Sequence, residues 1–364
     1  MANPSYRPFN RLVVTQAIKV TLQEAMKRHK VELTEIAAWD NLQLAAFKAA
    51  KGKRFRSSVT AFFMDLDNSI ALLQRDILEH KVPYGNYRPF LIFDPKRRTI
   101  HAASFPDRVL HHAIMNCVEP FFEASLVDTT FACRPGKGVH RAVSQVQKNL
   151  QHHPWYAQVD IEHYFLSIDH EHLFHLLSRR FKGEDFLRLL ERIIDSYQAA
   201  PGKGLPIGSL TSQHFANYYL NDADRFLLRH PAVERHIRYM DDIVWWCKDK
   251  KDTKIVLHEF DDYLRATCHL KLKPQVRINR SNQGITYCGF RILPGTIRLT
   301  IRKQRRYRYL RQYYETAWQY GHIDDRELQM AYDAVLAATI PTCSKTWRQR
   351  DLQFHPCLYD NASG

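Results

Sequence analysis

Two apolar runs meet at a bend that carries two adjacent carboxylates, in the segment RYMDDIVWWC at residues 238–247. Short bends between strands usually hold Asn-Gly or Asp-Gly, whereas Asp241 and Asp242 repel each other. An isolated pair of aspartates is most often a solvated turn. Here apolar residues lie on both sides, so the segment predicts a buried β-hairpin with paired negative charge at its tip.

A third carboxylate interrupts the apolar segment YAQVDI at residues 156–161, which is predicted to be a short buried strand. A buried charge needs a compensating partner, and a bound cation is the simplest one for several carboxylates. Two divalent ions roughly 3.5–4 Å apart, bridged by carboxylates, catalyse phosphoryl transfer. Asp160, Asp241 and Asp242 are therefore predicted to bind two hard divalent cations.

The chain is strongly basic, with 53 Lys and Arg against 38 Asp and Glu and a net charge of +15. Such a charge favours a polyanionic partner, because binding to phosphates releases counterions. Nucleic acid is the expected partner, and an anionic membrane surface is the alternative. No apolar run is long enough for a transmembrane helix, and the seven cysteines are scattered. We therefore expect a cytoplasmic protein that does not enter a membrane.

The periodicity of apolar residues predicts an α+β protein with a central antiparallel sheet and helices behind it. Helices are predicted at 12–50, 58–80, 107–123, 138–152, 170–197, 252–268 and 302–338. A hairpin is predicted at 88–105, strands are predicted at 276–300, and the C-terminal residues are expected to be irregular.

Two basic clusters stand out. Lys48, Lys51, Lys53, Arg54 and Arg56 follow the first helical segment. Between Arg265 and Arg311 there are thirteen Lys or Arg residues and no Asp or Glu. A stretch without acidic partners favours a bound polyanion over a solvated face. We interpret the second cluster as a place where nucleic acid binds through its phosphates. Rings that could stack on sugars or bases are interleaved with these cations: Tyr287, Tyr307, Tyr309, Tyr313 and Tyr314.

Several motifs together resemble those of reverse transcriptases. Tyr239-Met240-Asp241-Asp242 resembles the catalytic hairpin of that family, and Asp160-Ile161 with Phe165 resembles its first palm motif. Five further segments resemble family motifs in the same order: PKRRTI (95–100), FPDRVLHHA (105–113), FACRPGKGVH (131–140), GLPIGSLTSQHFANYYL (204–220) and YCGFRIL (287–293). The resemblance runs from about residue 40 to 340, and seven motifs in register are far more specific than one tetrapeptide.

The resemblance implies a right-hand polymerase fold with fingers, a palm made of an antiparallel sheet and helices, and a helical thumb. The expected divisions are a helical N-terminal extension at 1–80, fingers at 81–155, palm at 156–293, thumb at 294–340 and an irregular tail at 341–364. Further fingers elements are expected within the palm, around 175–212.

For the metal site, the resemblance implies that Asp160 and Asp241 bind two Mg²⁺ ions, with Mn²⁺ as an alternative metal, and that Asp242 is near enough to tune them. The backbone carbonyl of Ile161 would complete one coordination sphere. In related enzymes a lysine some thirty residues after the hairpin protonates the leaving pyrophosphate. Gln275 or Val276 occupies that position here, and Lys271 or Lys273 is expected to substitute.

For the incoming nucleotide, Lys96 and Arg98 would bind the triphosphate, although a solvated cationic turn is the simpler alternative. Phe165 would exclude a ribose 2′-hydroxyl and so select deoxynucleotides; core packing is its alternative. Gly208 would let the backbone approach the nucleotide closely. The nucleotide-binding residues expected from the resemblance are Lys96, Arg98, Phe165, Ile207, Gly208 and Gln213.

For the nucleic acid, the same resemblance implies contacts from the segment after the fingers, from the primer grip and from the start of the thumb. The residues are Arg134, Lys137, Tyr287, Gly289, Arg302, Lys303, Arg305 and Arg306.

The loop from Ile207 to Gln213 is similar to that of reverse transcriptases from diversity-generating retroelements, where most other reverse transcriptases carry Gln-Gly-x-x-x-Ser-Pro. Ile207 replaces a glutamine that elsewhere contacts the nucleotide, so the resemblance implies errors opposite template adenines. The expected partners are dNTPs, a structured template RNA, an RNA–DNA duplex and a small basic accessory protein.

Three alternatives stay open at this point. The chain could be a defence-associated bacterial reverse transcriptase that copies a non-coding RNA, or an RNA-binding scaffold without catalysis. The three aspartates argue against the scaffold, because unused buried carboxylates are costly. An RNA-dependent RNA polymerase is a third alternative, against which Phe165 argues.

Overall fold

Residues 28–93 and 97–356 are described by a computed structural model, and they separate into two units. The helical unit comprises residues 28–86, 104–117 and 170–196. The sheet unit comprises residues 87–103, 118–169 and 197–356. The helical prediction for residues 12–27, part of the predicted turn at 94–96 and the end of the predicted tail lie outside the described residues.

The helical unit contains a short strand, β1 (His29–Lys30), that pairs in parallel with β5 (Phe181–Lys182). Its helices are α1 (Leu33–Ile36), α2 (Trp39–Ala50), α3 (Ser57–Met64), α4 (Leu66–Leu78), the first part of α5 (Phe105–Ser125), α8 (His170–Arg180) and α9 (Glu184–Asp195). The small residues Ala45, Ala46 and Ala49 of α2 are buried at helical spacing, which allows close packing against α4.

The helix predicted at 58–80 is two helices, because Asp65 leaves the helical conformation with φ −132° and ψ 58°. Its side chain accepts a hydrogen bond from Asn68 at 2.9 Å. A short acidic side chain stabilises the start of a helix better than its interior, so α4 begins immediately after Asp65.

The centre of the sheet unit is an antiparallel sheet with the strand order β6 (Arg235–Tyr239), β7 (Asp242–Cys247), β4 (Trp155–Asp160) and β8 (Arg277–Arg280). Successive side chains of a strand point to opposite faces. Trp245 therefore packs against Phe260 of α12 (Lys250–Thr267) on one face, with 5.6 Å between ring centroids. Trp246 joins the core on the other face, under α6 (Val139–His152). Both tryptophans are fully buried, as predicted.

The remaining elements of the sheet unit surround this sheet. β2 (Tyr87–Ile92) and β3 (Arg98–Ala103) form the predicted hairpin, and β9 (Ile285–Tyr287), β10 (Phe290–Leu293) and β11 (Thr296–Leu299) form a second small sheet. The helices are α7 (Tyr164–Ser167), α10 (Leu210–Tyr219), α11 (Asn221–Arg229), α13 (Ile301–Gln319), α14 (Asp325–Ala337) and α15 (Lys345–Phe354). The predicted α+β class is confirmed.

The prediction of an irregular tail is wrong for Lys345–Phe354, which form α15. Tertiary contacts stabilise this helix. Arg308 of α13 donates to Asp351 at 2.9 Å, and the ring of Trp347 packs edge-on against that of Tyr307. Because these partners lie some forty residues away in the chain, local periodicity did not indicate the helix.

Candidate active site

A two-residue turn, Met240-Asp241, joins β6 to β7, with Tyr239 paired to Asp242 across the hairpin. Met240 has φ +56°, a backbone conformation that is unfavourable for a residue with a side chain. Such strain costs on the order of 1–3 kcal/mol and persists only where neighbouring structure imposes it. The turn is therefore held in place by its surroundings.

The register of the sheet brings the three aspartates together. β4 pairs with β7 so that Asp160 lies directly opposite Asp242, while Asp241 occupies the adjoining turn. The strand and hairpin predicted separately from the sequence thus end at the same edge of one sheet. This juxtaposition follows from pairing between segments about eighty residues apart.

Burial and mutual repulsion disfavour ionisation at this edge. Burial, followed by the charge of Asp160, raises the pKa of Asp241 to about 6. Burial is also the main cause that raises the pKa of Asp242 to about 7, and Asp160 and Asp241 add to it. A bound cation would remove this repulsion, so the charges of the site suit a cation.

The donor set also suits a hard cation such as Mg²⁺, because it consists of carboxylate oxygens and backbone carbonyls. Asp160 lies close enough to Asp241 to raise the pKa of the Asp241 carboxyl. Ile161 is fully buried next to Asp160. Across the part of the chain that the structure describes, no three His, Cys, Asp or Glu side chains converge as a preformed metal centre. Two carboxylates are thus adjacent, and the carboxylate of Asp242 makes a different contact.

That contact is with Gln158, which the sequence interpretation missed. Its side-chain amide donates to Asp242 Oδ1 at 2.9 Å and to the carbonyl of Thr286 at 3.1 Å. The hydrogen bond opposes the rise in the pKa of Asp242. Gln158 precedes Asp160 by two residues and therefore shares its face of β4. A polar residue at that spacing in an apolar strand was the available signal.

Lys273 is the lysine that lies beside the carboxylates. Its Nζ is 2.6 Å from Asp160 Oδ1, and its backbone N–H donates to the carbonyl of Asp160 at 2.8 Å. The carbonyl of Lys271 accepts from the backbone of Glu162 at 2.8 Å, and the side chain of Lys271 is exposed. Of the two lysines predicted as the general acid, the structure brings Lys273 to the site.

Arg238 holds the hairpin from within the core. Its fully buried guanidinium donates to Asp224 Oδ1 at 2.7 Å, to Asn217 Oδ1 at 3.0 Å and to the carbonyl of Met240 at 3.0 Å. Burial alone would raise the pKa of Asp224, but Arg238 and His236 lower it to about 2. The buried ion pair thereby fixes the strained residue of the turn.

The predicted nucleotide-binding loop is attached to the β2–β3 hairpin. The carbonyl of Ile207 accepts from the backbone N–H of His101 at 2.9 Å. Gly208 has φ +114°, and a Cβ there would lie 2.7 Å from Cγ2 of Ile100. Only glycine satisfies both conditions, so this glycine is required by the packing of the loop itself.

The other residues predicted to contact the nucleotide are attached less closely to this loop. Phe165 is half-buried, and its carbonyl accepts from the backbone of Leu205 at 2.7 Å, so it lies beside the same loop. Gln213 Oε1 is 3.7 Å from the Cys133 thiol, and Arg98 is exposed on β3. Lys96 lies outside the described residues.

The nucleic-acid contact predicted for the side chain of Arg134 is wrong. Its side chain is only 3% exposed and forms an ion pair with Glu123 at 2.7 Å. It also donates to the carbonyl of Thr130 at 3.0 Å. Lys137 donates to the carbonyl of Asp128 at 2.6 Å and lies over the ring of Phe131. Both cations therefore stabilise the loop that contains them.

Stacking by Tyr287 and Tyr307 is also contradicted, because both rings are buried. The hydroxyl of Tyr287 instead donates to the carbonyl of Asp242 at 3.2 Å, and this hydrogen bond supports the β6–β7 hairpin. Nζ of Lys303 lies 3.5 Å from the ring centroid of Phe290. A Cβ at Gly289 would come within 2.6 Å of the Lys303 side chain. Residues 287–293, which are the predicted primer grip, thus pack on the start of α13.

An exposed basic face remains on α13. It carries exposed arginine side chains near the helix start and two exposed rings, Tyr309 and Tyr313, whose centroids are 6.3 Å apart. The exposed arginines at the start of the helix are Arg302, Arg305 and Arg306.

Comparison with known proteins places this site in a family. A family model described as "Reverse transcriptase (RNA-dependent DNA polymerase)" matches residues 94–292, which is more than half of the chain. Protein YkfC of Escherichia coli (strain K12) is 24% identical over 288 residues, covering 65% of this chain and 73% of that protein. The group II intron-encoded protein LtrA of Lactococcus lactis subsp. cremoris is 25% identical over 140 residues, covering 37% of this chain. The chain spans only 23% of the length of LtrA.

Among solved structures, apo telomerase from Candida tropicalis matches with a TM-score of 0.47 and 11% identity. The match covers 74% of this chain and 59% of that one. Among the described residues, none of the helices is both long and apolar enough to cross a membrane.

Proposed function

Because this chain belongs to the reverse transcriptase (RNA-dependent DNA polymerase) family, we propose that it extends a DNA strand on an RNA template by nucleotidyl transfer. It has the right-hand polymerase fold of that family. The observation that carries the proposal is the β4–β7 register, which places Asp160 opposite Asp242 beside Asp241 and Lys273.

Asp160 and Asp241 would hold two Mg²⁺ ions, with the Ile161 carbonyl as a further ligand and Asp242 as a modulating charge. Bound there, the ions would lower the pKa of the primer 3′-hydroxyl and neutralise the leaving pyrophosphate. The reaction otherwise requires positioning, because no covalent intermediate is needed. Arg238, Gln158 and Tyr287 position the hairpin through its carbonyls and the Asp242 carboxylate.

Lys273 is placed to donate a proton to the leaving pyrophosphate. Its ammonium lies 2.6 Å from Asp160, so it stays next to the carboxylates while the reacting groups bind. A bound cation would compete with the ammonium for Asp160 and leave the lysine available for the pyrophosphate oxygen. General acid catalysis of this kind contributes about 10²–10⁴-fold to a rate.

Nucleotide selection is assigned to Phe165 and the loop from Ile207 to Gln213. The Phe165 carbonyl accepts a hydrogen bond from the backbone N–H of Leu205, which lies in the segment leading to that loop. This hydrogen bond holds Phe165 next to the loop. Lys96 and Arg98 are proposed to bind the triphosphate. Arg302, Arg305 and Arg306 are proposed to bind duplex phosphates, since they lie exposed on α13.

Within the family, we assign the chain to the reverse transcriptases of diversity-generating retroelements. The residues Ile207-Gly208 and Ser212-Gln213 support this assignment through their similarity to that group. It implies a structured template RNA, dNTPs, a small basic accessory protein and errors at template adenines. A defence-associated role would use the same chemistry on a different non-coding RNA.

Primer extension tests the proposal. The full chain is incubated with Mg²⁺, dNTPs and a DNA primer annealed to RNA, in parallel with Asp160→Asn and Asp241→Asn variants. We expect extension by the wild type and loss by at least about 10³-fold in each variant, because removal of charge stabilisation is costly. Wild-type chain that binds the duplex but yields no product would instead support a non-catalytic scaffold. Sequencing the products for errors opposite adenine tests the assignment to the diversity-generating branch.

A further inference from the structure

The basic cluster at residues 48–56 is not used by the proposed active site, and part of it lines an open cavity on the surface of the helical unit. The cavity has a volume of about 520 Å³ and is lined by Phe47, Lys48, Lys51, Gly52 and Arg54. It lies where α2 ends and the turn toward α3 begins. Three of the five lining residues are therefore cationic, and a fourth is aromatic.

A cation from a second helix increases the positive charge around this cavity. Arg108 of α5 donates to the carbonyl of Ala49, and Lys48 Nζ donates to Asn116 Oδ1 at 2.5 Å. Among the ion pairs between residues that the structure describes, none joins Lys48, Lys51, Lys53, Arg54 or Arg56 to a carboxylate. The helix dipole accounts for one or two cations at the end of α2, but not for this number.

The effect of these charges on a neighbouring histidine shows that they act together. Burial, and then the charges of Arg108, Lys48 and Lys53, lower the pKa of His112 to about 4. Burial, Arg108 and Arg56 likewise lower the pKa of Lys53. The cluster is thus under mutual repulsion that a bound anion would relieve.

One aromatic ring lines the cavity, and a second, exposed ring belongs to the residue that follows the last lining residue in the chain. Phe55 follows Arg54 directly and is fully exposed, at 102% of its reference surface. Phe47 is 45% exposed and packs against Phe63 with 5.3 Å between ring centroids. Cations that bind phosphates, combined with rings that can stack on bases, are typical of surfaces that bind unpaired nucleic-acid strands. A double-stranded partner would leave such rings without a base to contact.

We propose that Lys48, Lys51 and Arg54 form a second nucleic-acid site, which binds the phosphates of an unpaired RNA segment while a base stacks on Phe55. The proposal rests on the proposed function only for the choice of RNA, because a reverse transcriptase must retain an RNA template. The cations give affinity without sequence selection, and Phe55 requires an unstacked base.

The test measures RNA binding and does not require catalysis. A fluorescent 20-nucleotide oligouridine is titrated with the full chain in EDTA without dNTPs, at several salt concentrations. The variant Lys48→Gln/Lys51→Gln/Arg54→Gln is compared with Lys248→Gln/Lys251→Gln/Lys254→Gln, which removes equal charge from exposed lysines elsewhere. We expect the first variant alone to reduce the slope of log K against log salt by about 2, because each lost contact accounts for about 0.7 on a single strand.

Phe55→Ala separates stacking from charge. This variant removes an exposed ring, so it leaves the fold intact. We expect it to weaken oligouridine binding by about 5- to 100-fold with an unchanged salt slope, as base–aromatic stacking predicts. Equal slope changes in both triple variants, or no change in affinity in Phe55→Ala, would overturn the proposal.

Two further probes distinguish the partner. A thymidine 20-mer and vesicles with about 30% phosphatidylserine, a composition with a negative surface potential, are titrated with the same variants. A loss confined to DNA or to vesicles overturns the assignment to RNA, whereas a loss that includes oligouridine supports it. A wild-type chain without primer extension would contradict the proposed polymerase activity and leave this binding measurement valid.

Discussion

Lys273 is the side chain whose position bears most directly on the chemistry proposed for this site, since its ammonium contacts Asp160 at 2.6 Å. We expect Lys273→Ala to lower kcat for nucleotide addition by about 100-fold, in the range for loss of a general acid. KM for dNTP should change little. Lys271→Ala is the matched control, because that lysine is exposed. Single-turnover extension measures both, and equal losses in the two variants would contradict the assignment.

Phe165 carries the prediction of sugar selectivity. Phe165→Ala should admit ribonucleotides, because the smaller side chain leaves room for a 2′-hydroxyl. The ratio of kcat/KM for dNTP to that for rNTP should fall by about 10²-fold or more, the discrimination expected when a steric exclusion is lost. Tyr164→Phe is a suitable control, since its ring is kept within the same short helix. Unchanged selectivity in Phe165→Ala would refute the gate.

Gln158 influences how readily Asp242 ionises. Its hydrogen bond lowers a pKa that burial has raised to about 7, so Gln158→Leu should raise that pKa further. Because the site needs ionised carboxylates, activity should then begin to fall at a higher pH on the acid side. The pH profile of kcat/KM measures this shift, with Gln147→Leu as the control. An identical acid limb in both variants would exclude this role.

At the level of elements, the β6–β7 hairpin depends on the buried pair Arg238–Asp224. Arg238→Met leaves Asp224 buried without its main counter-charge and should lower the free energy of unfolding by about 3–5 kcal/mol. The double variant Arg238→Met/Asp224→Leu removes both charges and should recover most of that loss. Urea unfolding provides the comparison.

The double variant also separates stability from positioning. Arg238 donates to the carbonyl of Met240, the residue with φ +56°. We expect the double variant to fold and yet to extend primers poorly, because this donor to the strained turn is absent. Full activity in a stable double variant would show that the turn needs no such support.

The predictions of strands and helices were correct where the pattern of apolar residues within the segment itself determines the structure. The β2–β3 hairpin, the β6–β7 hairpin and strand β4 lie close to their predicted positions. The tail helix was missed because Arg308 and Tyr307 stabilise it from a distant part of the chain. The domain boundaries inferred from the family resemblance stay a prediction.

At the scale of the whole molecule, we expect the paired carboxylates to make stability depend on pH and on divalent ions together. The pKa values of Asp241 and Asp242 are raised in the folded chain to about 6 and about 7. A raised pKa means that the folded chain binds more protons than the unfolded chain. Without divalent ions, stability should therefore fall as the pH rises from about 4 through 7.

Mg²⁺ should reverse this loss, because it binds the ionised carboxylates. The increase in Tm on adding Mg²⁺ should be larger at pH 8 than at pH 5, by about 2 °C or more at ten times Kd. The variant Asp160→Asn/Asp241→Asn should lose the increase, while the exposed pair Asp40→Asn/Asp67→Asn should keep it. Differential scanning calorimetry with EDTA as reference measures the effect. A rise in Tm that is the same at both pH values would argue against cation binding at these carboxylates.

The sequence alone determined the chemical type of the site, because carboxylates within apolar segments and a chain of motifs are properties of local residue order. Tertiary structure decided which partners those residues have. The antiparallel backbone bridge between Ile161 and Leu272 places the side chain of Lys273, and not that of Lys271, beside Asp160. Arg134, which was predicted to contact nucleic acid, is instead buried in an ion pair with Glu123. The same aspartates that first suggested a cation site are positioned by Gln158, Arg238 and Tyr287. Those contacts depend on strand register and side-chain packing, which residue order does not reveal.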